Sequence, residues 1–328
     1  MSVQNDLLSH LLRSMQVSAS LLLADTYYAP WSVKLPSSDE LVALFDQAPG
    51  THVVAFHMVQ EGDFHIALAD GTERRVGAGQ AAILFGGGAH RMWSGKGGET
   101  VPLSAVLSGR KPGVSSQGNV SGSPPDHTRL VCGAFSMRHT RLNPLFDALP
   151  ALAILSVGSG GWLASVGEQL GRELHASSPG SEFVVERLLE LFCAEAVRDY
   201  MVSTDVGAHR GWFRALKDEA VLKALRAMHS NPALPWTVES LAREAQISRS
   251  RLSERFALSM GESLMQYLSK WRMSDATRML IDTRHSVQRV ANEVGYESSA
   301  AFSRAFKQQL GVSPAKFRAT EQRNVVTD

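Results

Sequence analysis

Ser299, Ala300, Ser303, Arg304 and Lys307 are the residues whose types and spacing best fit a chemistry, and that chemistry is recognition rather than bond-making. Small side chains let a helix lie deep in a major groove, and an arginine can fork onto a guanine edge or a phosphate. These five positions share the outward face of the second of two short helices predicted across residues 286–307. Val287, Val290, Ala291 and Val294 keep helical spacing and bury one stripe. Gly295 supplies a left-handed turn, and Phe302 and Phe306 return a second apolar stripe onto the first. The pattern is that of a helix-turn-helix.

Other reactive residue types do not assemble into a catalytic pattern. His52, His57, His65 and His90 lie in the first third of the chain, yet the His-x-His pair with a close Glu that a barrel metal site uses is missing. Only His57, Glu61 and His90 fit loosely, so no metal and no cofactor are expected. Gly86-Gly87-Gly88 lacks the lysine and following helix of a phosphate-binding loop, and no nucleophile triad is visible. Cys132 sits mid-strand in Leu130-Val-Cys-Gly-Ala-Phe135, where its ordinary role is a small buried hydrophobe. A reactive thiol would need exposure and a lowered pKa, for which Arg129 or His127 could provide the charge. Trp31, Phe56, Phe64 and Trp93, with His57 and His90, are the candidate lining for a small apolar or aromatic ligand.

The elements that must position these residues fall into two halves. A chain of 328 residues is too long for one ordinary core. Residues 219–328 carry 16 Lys and Arg against 11 Asp and Glu, whereas residues 1–218 carry 17 against 21. The basic half is therefore the candidate for a polyanion. Two cysteines, Cys132 and Cys193, exclude a disulfide framework and point to a reducing compartment. With no signal-peptide plan and no apolar run long enough to span a bilayer, a cytoplasmic protein without membrane partners is expected.

Leu7, Leu8, Leu11, Leu12 and Met15 predict an opening amphipathic helix. Strands are predicted over 17–23, 31–35, 52–59, 64–69, 81–85, 103–107 and 129–136, separated by turn signals such as Glu61-Gly62-Asp63 and Asp70-Gly71. Short strands at that spacing suggest a sandwich or jelly-roll barrel. Residues 111–125, rich in Gly, Ser and Pro, read as a mobile loop inside it. After Asn143-Pro144 the period turns helical. Helices over 162–175 and 182–201 show a broad apolar stripe, as a helix covered by its own barrel and by a second copy would, although a helix packed only on its own domain also fits. The expected division is a sensor and dimerisation domain over 1–202, helical from about 144, a linker over 203–215, and a helical domain over 216–328.

The helix-turn-helix has an internal twin. Val238, Leu241, Ala242, Ala245 and Ile247 precede Val287, Val290, Ala291, Val294 and Tyr296 at one constant offset, and Leu252 and Phe256 precede Phe302 and Phe306 at an offset one residue longer. Between the twins lies 262–282, where a helix of about 19 residues would be roughly 28 Å long, close to the roughly 34 Å repeat of B-DNA. One chain can thus set two recognition helices in successive major grooves.

Ser248-Arg-Ser250, Arg255-Phe256, Gly261, Trp271-Arg-Met273, Val294-Gly-Tyr-Glu-Ser-Ser-Ala-Ala-Phe-Ser-Arg-Ala-Phe-Lys307 and Gly311-Val-Ser-Pro-Ala-Lys-Phe-Arg318 resemble the AraC/XylS family of bacterial transcription regulators. Phe56-His57, residues 86–91, Leu149-Pro150 and Trp162-Leu163 resemble the cupin-type regulatory domain of one branch of it. The resemblance implies an α+β protein: a cupin-like jelly roll with a helical dimerisation segment, then an all-α domain with two helix-turn-helix motifs. It implies double-stranded DNA as partner, a homodimer, RNA polymerase as the further partner of an activator, and a small-molecule or oxidant effector, the last through Cys132. By position it implies Arg249, Ser250, Arg251, Ser253 and Glu254 on the first recognition helix, and Ser299, Ala300, Ser303 and Arg304 on the second. Arg251 and Arg304 are the expected base readers, Arg249 and Lys307 serve phosphates nearly as well, and Arg255 and Arg272 are expected to bind within the protein. Gln246 stands where the second motif has Gly295. The competing reading is a metal-dependent cupin enzyme with a helical appendage.

Overall fold

Adjacent residues of a strand face opposite sides of its sheet, and in β3 (His52–Glu61) this sends Phe56 one way and His57 the other. The computed structural model describes residues 7–14, 16–48, 50–112, 126–138, 142–157, 162–176, 178–203 and 211–325. One five-stranded sheet joins β3 to β1 (Val17–Tyr28), β6 (Gln80–Ile83), β9 (His127–Met137) and β10 (Ala153–Ser156), in the order β1, β9, β3, β6, β10. The other joins β2 (Trp31–Leu35), β4 (Asp63–Leu68), β5 (Glu73–Gly77), β7 (His90–Ser94) and β8 (Thr100–Pro102), in the order β5, β4, β7, β2, β8. Among the described residues, only β2 and β8 pair in parallel.

Two cores follow from the alternation. Val53, Ala55, Val59, Leu130, Cys132 and Ala134 face inward and meet Trp31, Val33, Phe64, Ile66 and Met92 of the opposing sheet. Val54, Phe56, Met58, Ile83, Val131 and Phe135 face outward and are covered by α1 (Leu7–Ser14), α5 (Trp162–Ala176) and α6 (Ser181–Ser203). The rings of Phe56 and Phe135 stack at 4.8 Å, with Phe192 of α6 closing over them. A sheet covered on both faces explains why β3 is buried almost throughout.

Residues 103–107, predicted as a strand, form the short helix α3 (Leu103–Leu107) instead. A five-residue, mostly apolar stretch carries no period that separates the two, and here Pro102 at the N-cap starts a turn. The short strands β5, β7, β8 and β10, and the helix α2 (Ser38–Leu44), escape sequence reading because each is brief or charged. Residues 113–125 of the expected loop lie outside the described residues.

The helical half comprises α7 (Trp212–Ala215), α8 (Glu219–Ser230), α9 (Val238–Ala245), α10 (Arg249–Met260), α11 (Leu264–Asp282), α12 (Val287–Glu293), α13 (Ser299–Leu310) and α14 (Pro314–Val325). The expected linker ends in α7, whose Trp212, Phe213 and Ala215 are buried in the core that continues from α6 into α8, α10 and α11. From the sensor half, α4 (Pro144–Ala148) packs on α7. Its Asp147 shares a small pocket with Glu262 and Lys270, which pair at 2.9 Å.

Candidate nucleic-acid interface

The first motif is built from capped helices. Thr237 accepts from the Ser240 amide while the Ser240 hydroxyl accepts from Thr237, a capping box that starts α9. Leu241, Ala242 and Ala245 bury one face of α9 against Leu252 and Phe256 of α10. The turn between them places Gln246 at φ 58°, ψ 35°, in the left-handed region that a side chain adopts with strain. Ser248 then caps α10, and Gly261 ends it, again left-handed.

The second motif repeats this plan with one residue more in its turn. Ser286 caps α12, and Ser298 accepts from the Ala301 amide at 3.1 Å to cap α13. Val290, Ala291, Val294, Phe302 and Phe306 are fully buried, matching their twins in the first motif. Fully burying each phenylalanine contributes about 1.5–3 kcal/mol. Gly295 stands at φ 84°, where Gln246 stands in the first motif.

A single unbroken helix of 19 residues, α11, joins the two. Leu264, Tyr267, Leu268 and Trp271 of its first half belong to the core of the first motif, and Met273, Ala276 and Leu280 to that of the second. Arginines tie the frame together. Arg272 donates to the carbonyls of Pro232 at 2.8 Å and Leu234 at 2.7 Å, and lies over the Tyr296 ring. Arg255 donates to Asp218 at 2.7 Å, the same carboxylate that caps α8. Both serve the fold, as the sequence led us to expect. Arg318, whose frame role the sequence reading missed, donates to the carbonyls of Leu280 and His285 and locks α14 against the start of the second motif.

The residues left outside are those proposed for recognition. Arg249, Ser250, Arg251 and Glu254 are exposed on α10 and Ser253 is half-buried; on α13 Ala300, Arg304 and Lys307 are exposed, and Ser299 and Ser303 half-buried. Arg249 reaches Glu239 only at 4.0 Å. Among the described residues Arg251, Arg304 and Lys307 enter no ion pair, so their charge is available to a polyanion. Arg243 on α9 and Arg284 before α12 share that condition and were not singled out from sequence. Their signal was a cation on the solvent side of a supporting element.

The candidate pocket residues of the sensor half do not all converge. Trp31, His57, Phe64 and His90 lie between the sheets, and the two histidines meet at 2.8 Å. Phe56 points to the helix side, and Trp93 lies on the outer face of its sheet, stacked on His65 with Arg91 over it. Glu61 does not join the histidines; it pairs with His127 at 3.0 Å and Arg129 at 2.8 Å at the surface. The two charges that could have activated Cys132 are thus spent elsewhere. Burial pushes the Cys132 thiol up, opposite to what a reactive cysteine needs.

A double-sheet sensor joined to two helix-turn-helix motifs on one rod defines a DNA-binding regulator. Residues 6–202 match the family profile described as Cupin, and residues 241–320 that of a helix-turn-helix domain. The HTH-type transcriptional regulator AlkR of Acinetobacter baylyi is 28% identical over 321 residues, covering 95% of this chain and 99% of its own. A putative AraC-like transcription regulator of Streptomyces lividans is 30% identical over 227 residues, 67% of this chain and 72% of its own. The crystal structure of the DNA-binding domain of AdpA in complex with a target DNA is 30% identical, covering 34% of this chain and 99% of that one at a TM-score of 0.32. The chain belongs to the AraC-like transcriptional regulators that carry an N-terminal cupin domain. It is a regulator that binds double-stranded DNA, and the reading as a cupin enzyme is not favoured.

Proposed function

We propose that the chain is a cytoplasmic, homodimeric activator whose barrel takes an effector and whose α10 and α13 enter successive major grooves. The observation that carries this reading is the unpaired state of Arg251, Arg304 and Lys307 on two exposed helix faces joined by one rigid rod. Arg251 and Arg304 read bases, with Ser250, Ser253, Glu254, Ser299, Ala300 and Ser303 shaping the close contact. Arg249 and Lys307 hold phosphates. Dimerisation is supported by large apolar side chains left exposed on the sensor helices, Trp162 at 60% on α5 and Phe183 at 67% on α6, with Val184 and Leu191 also exposed on α6. A dimer raises operator affinity through effective concentration, and a DNA-bound dimer presents a surface to RNA polymerase. An oxidant acting at Cys132 is the weaker effector reading, since the thiol is buried and held protonated.

Arg304→Ala should weaken specific operator binding by about 1–3 kcal/mol and leave the fold intact. A gel shift in which this variant equals the parent refutes the assignment. Sedimentation of the full chain, with Phe183→Glu beside it, tests the dimer.

A further inference from the structure

His57 of β3 and His90 of β7 face each other between the sheets, with their Nε2 atoms 2.8 Å apart. A carbonyl fixes their hydrogens. His90 Nδ1 lies 3.2 Å from the Gly88 oxygen, which can only accept, so His90 carries its hydrogen on Nδ1. Burial keeps both rings neutral, pushing His90 down to about 4 and His57 well below its ordinary value. A neutral imidazole has one N–H, so His90 Nε2 is a bare acceptor and the hydrogen between the rings belongs to His57 Nε2. The consequence falls on His57: its Nδ1 is a lone pair, buried, and among the described residues no group donates to it. Leaving such a group unsatisfied costs about 1–3 kcal/mol.

His57 lines a cavity of about 20 Å³, room for one hydroxyl-sized group. Its other walls are nearly all apolar. Leu22 and Leu23 come from β1, whose register shifts between Leu21 and Leu23, and Leu103 and Val106 come from α3. Leu22, Leu23 and Val106 are only half-buried, so the cavity's rim lies between that strand and that short helix.

We propose that this cavity takes the hydroxyl of a small apolar molecule, whose O–H donates to His57 Nδ1 while its hydrocarbon part lies at the half-buried rim, between Leu22 and Leu23 of β1 and Leu103 and Val106 of α3. The chemistry of the walls selects the class. A carboxylate has no hydrogen to give, an ammonium would be stranded in an apolar wall, and a hydrocarbon, ether or ketone leaves Nδ1 unmatched. This site deepens the effector reading of the barrel and rests on it.

The test uses the full chain with 1-hexanol and its isomer methyl pentyl ether, which has the same heavy atoms and no O–H. Calorimetry should find the alcohol binding about tenfold or more tightly than the ether, and His57→Phe should abolish that preference. Equal affinity for the two isomers overturns the proposal, and so does binding of neither. Nitrogen-15 spectra of the unaltered protein give a second readout if the variant does not fold. The His57 Nδ1 resonance must move on saturation with the alcohol, and a resonance that stays overturns the assignment. Operator affinity measured on the same samples separates the two ideas. Alcohol binding without any change in operator affinity upholds the site and overturns its effector role. Absent alcohol binding, with operator affinity responding to some other small molecule, overturns the site and leaves the effector reading standing.

Discussion

A methyl group on Gly295 would lie 2.6 Å from the carbonyl oxygen of Ala233, so the turn of the second motif rests directly on the loop that leads into the first. Arg272 holds the same loop through Pro232 and Leu234. The two reading units are therefore fixed to each other through backbone contacts as well as through α11.

Gly295→Ala should destabilise the helical half by more than left-handed strain alone, which is about 1–3 kcal/mol. Gly311→Ala is the control, because it shares a positive φ but its added methyl group meets nothing within 4 Å. Urea denaturation of both variants should rank Gly295→Ala as the more damaging. Equal losses would mean that the Ala233 contact yields freely.

The first motif carries a removable strain. Gln246 holds a left-handed backbone, and among the described residues its side chain returns only an exposed 3.2 Å hydrogen bond from Lys223. Gln246→Gly should raise stability by roughly 0.5–1 kcal/mol. A denaturation midpoint that falls instead would show that the amide contact outweighs the strain.

Lys307 and Arg251 should separate by salt dependence. If Lys307 meets a phosphate, Lys307→Ala weakens operator and unrelated DNA alike and lowers the slope of log affinity against log salt by about 1. Arg251→Ala, at a base, should relax sequence preference instead. Titrations at several salt concentrations against cognate and mutated operators distinguish these outcomes, and identical behaviour of the two variants contradicts the division of roles.

Acid should loosen the sensor half through its buried histidines. His52, His57 and His90 are all held below their ordinary 6.5, chiefly by burial, with His90 at about 4. Their folded pKa lies below the unfolded one, so in this window the unfolded chain binds more protons and stability falls as pH drops from 6.5 towards 4. His90 alone accounts for a loss on the order of 2–4 kcal/mol. Urea unfolding at pH 7 and pH 5 should show the difference, before the carboxylates protonate. An unchanged midpoint would place the histidines in contact with water.

The reading half was legible because its information is local. Helical spacing at Val290, Ala291 and Val294, a glycine at the turn and capping serines within a few residues each specify their own element, and the internal repeat doubles the signal. The family resemblance added which outward positions to name. What remained hidden there, the Ala233 contact and the Arg318 clamp, depends on segments far apart in the chain.

The sensor half divides differently. Its strand-rich character was evident from turns and apolar runs, but a strand fully buried on both faces has no alternation to show which residues share a side. Phe56 and His57 look equally suited to a pocket in sequence, and only the helices packed on one face send Phe56 away from it. The meeting of His57 with His90, 33 positions apart, the withdrawal of Glu61 to a surface pair, and the burial of α7 against both halves are likewise set by sheet register and packing. Short-range periodicity wrote the DNA-reading elements into the chain, whereas contacts between distant strands and helices decided which sensor side chains enclose a common space.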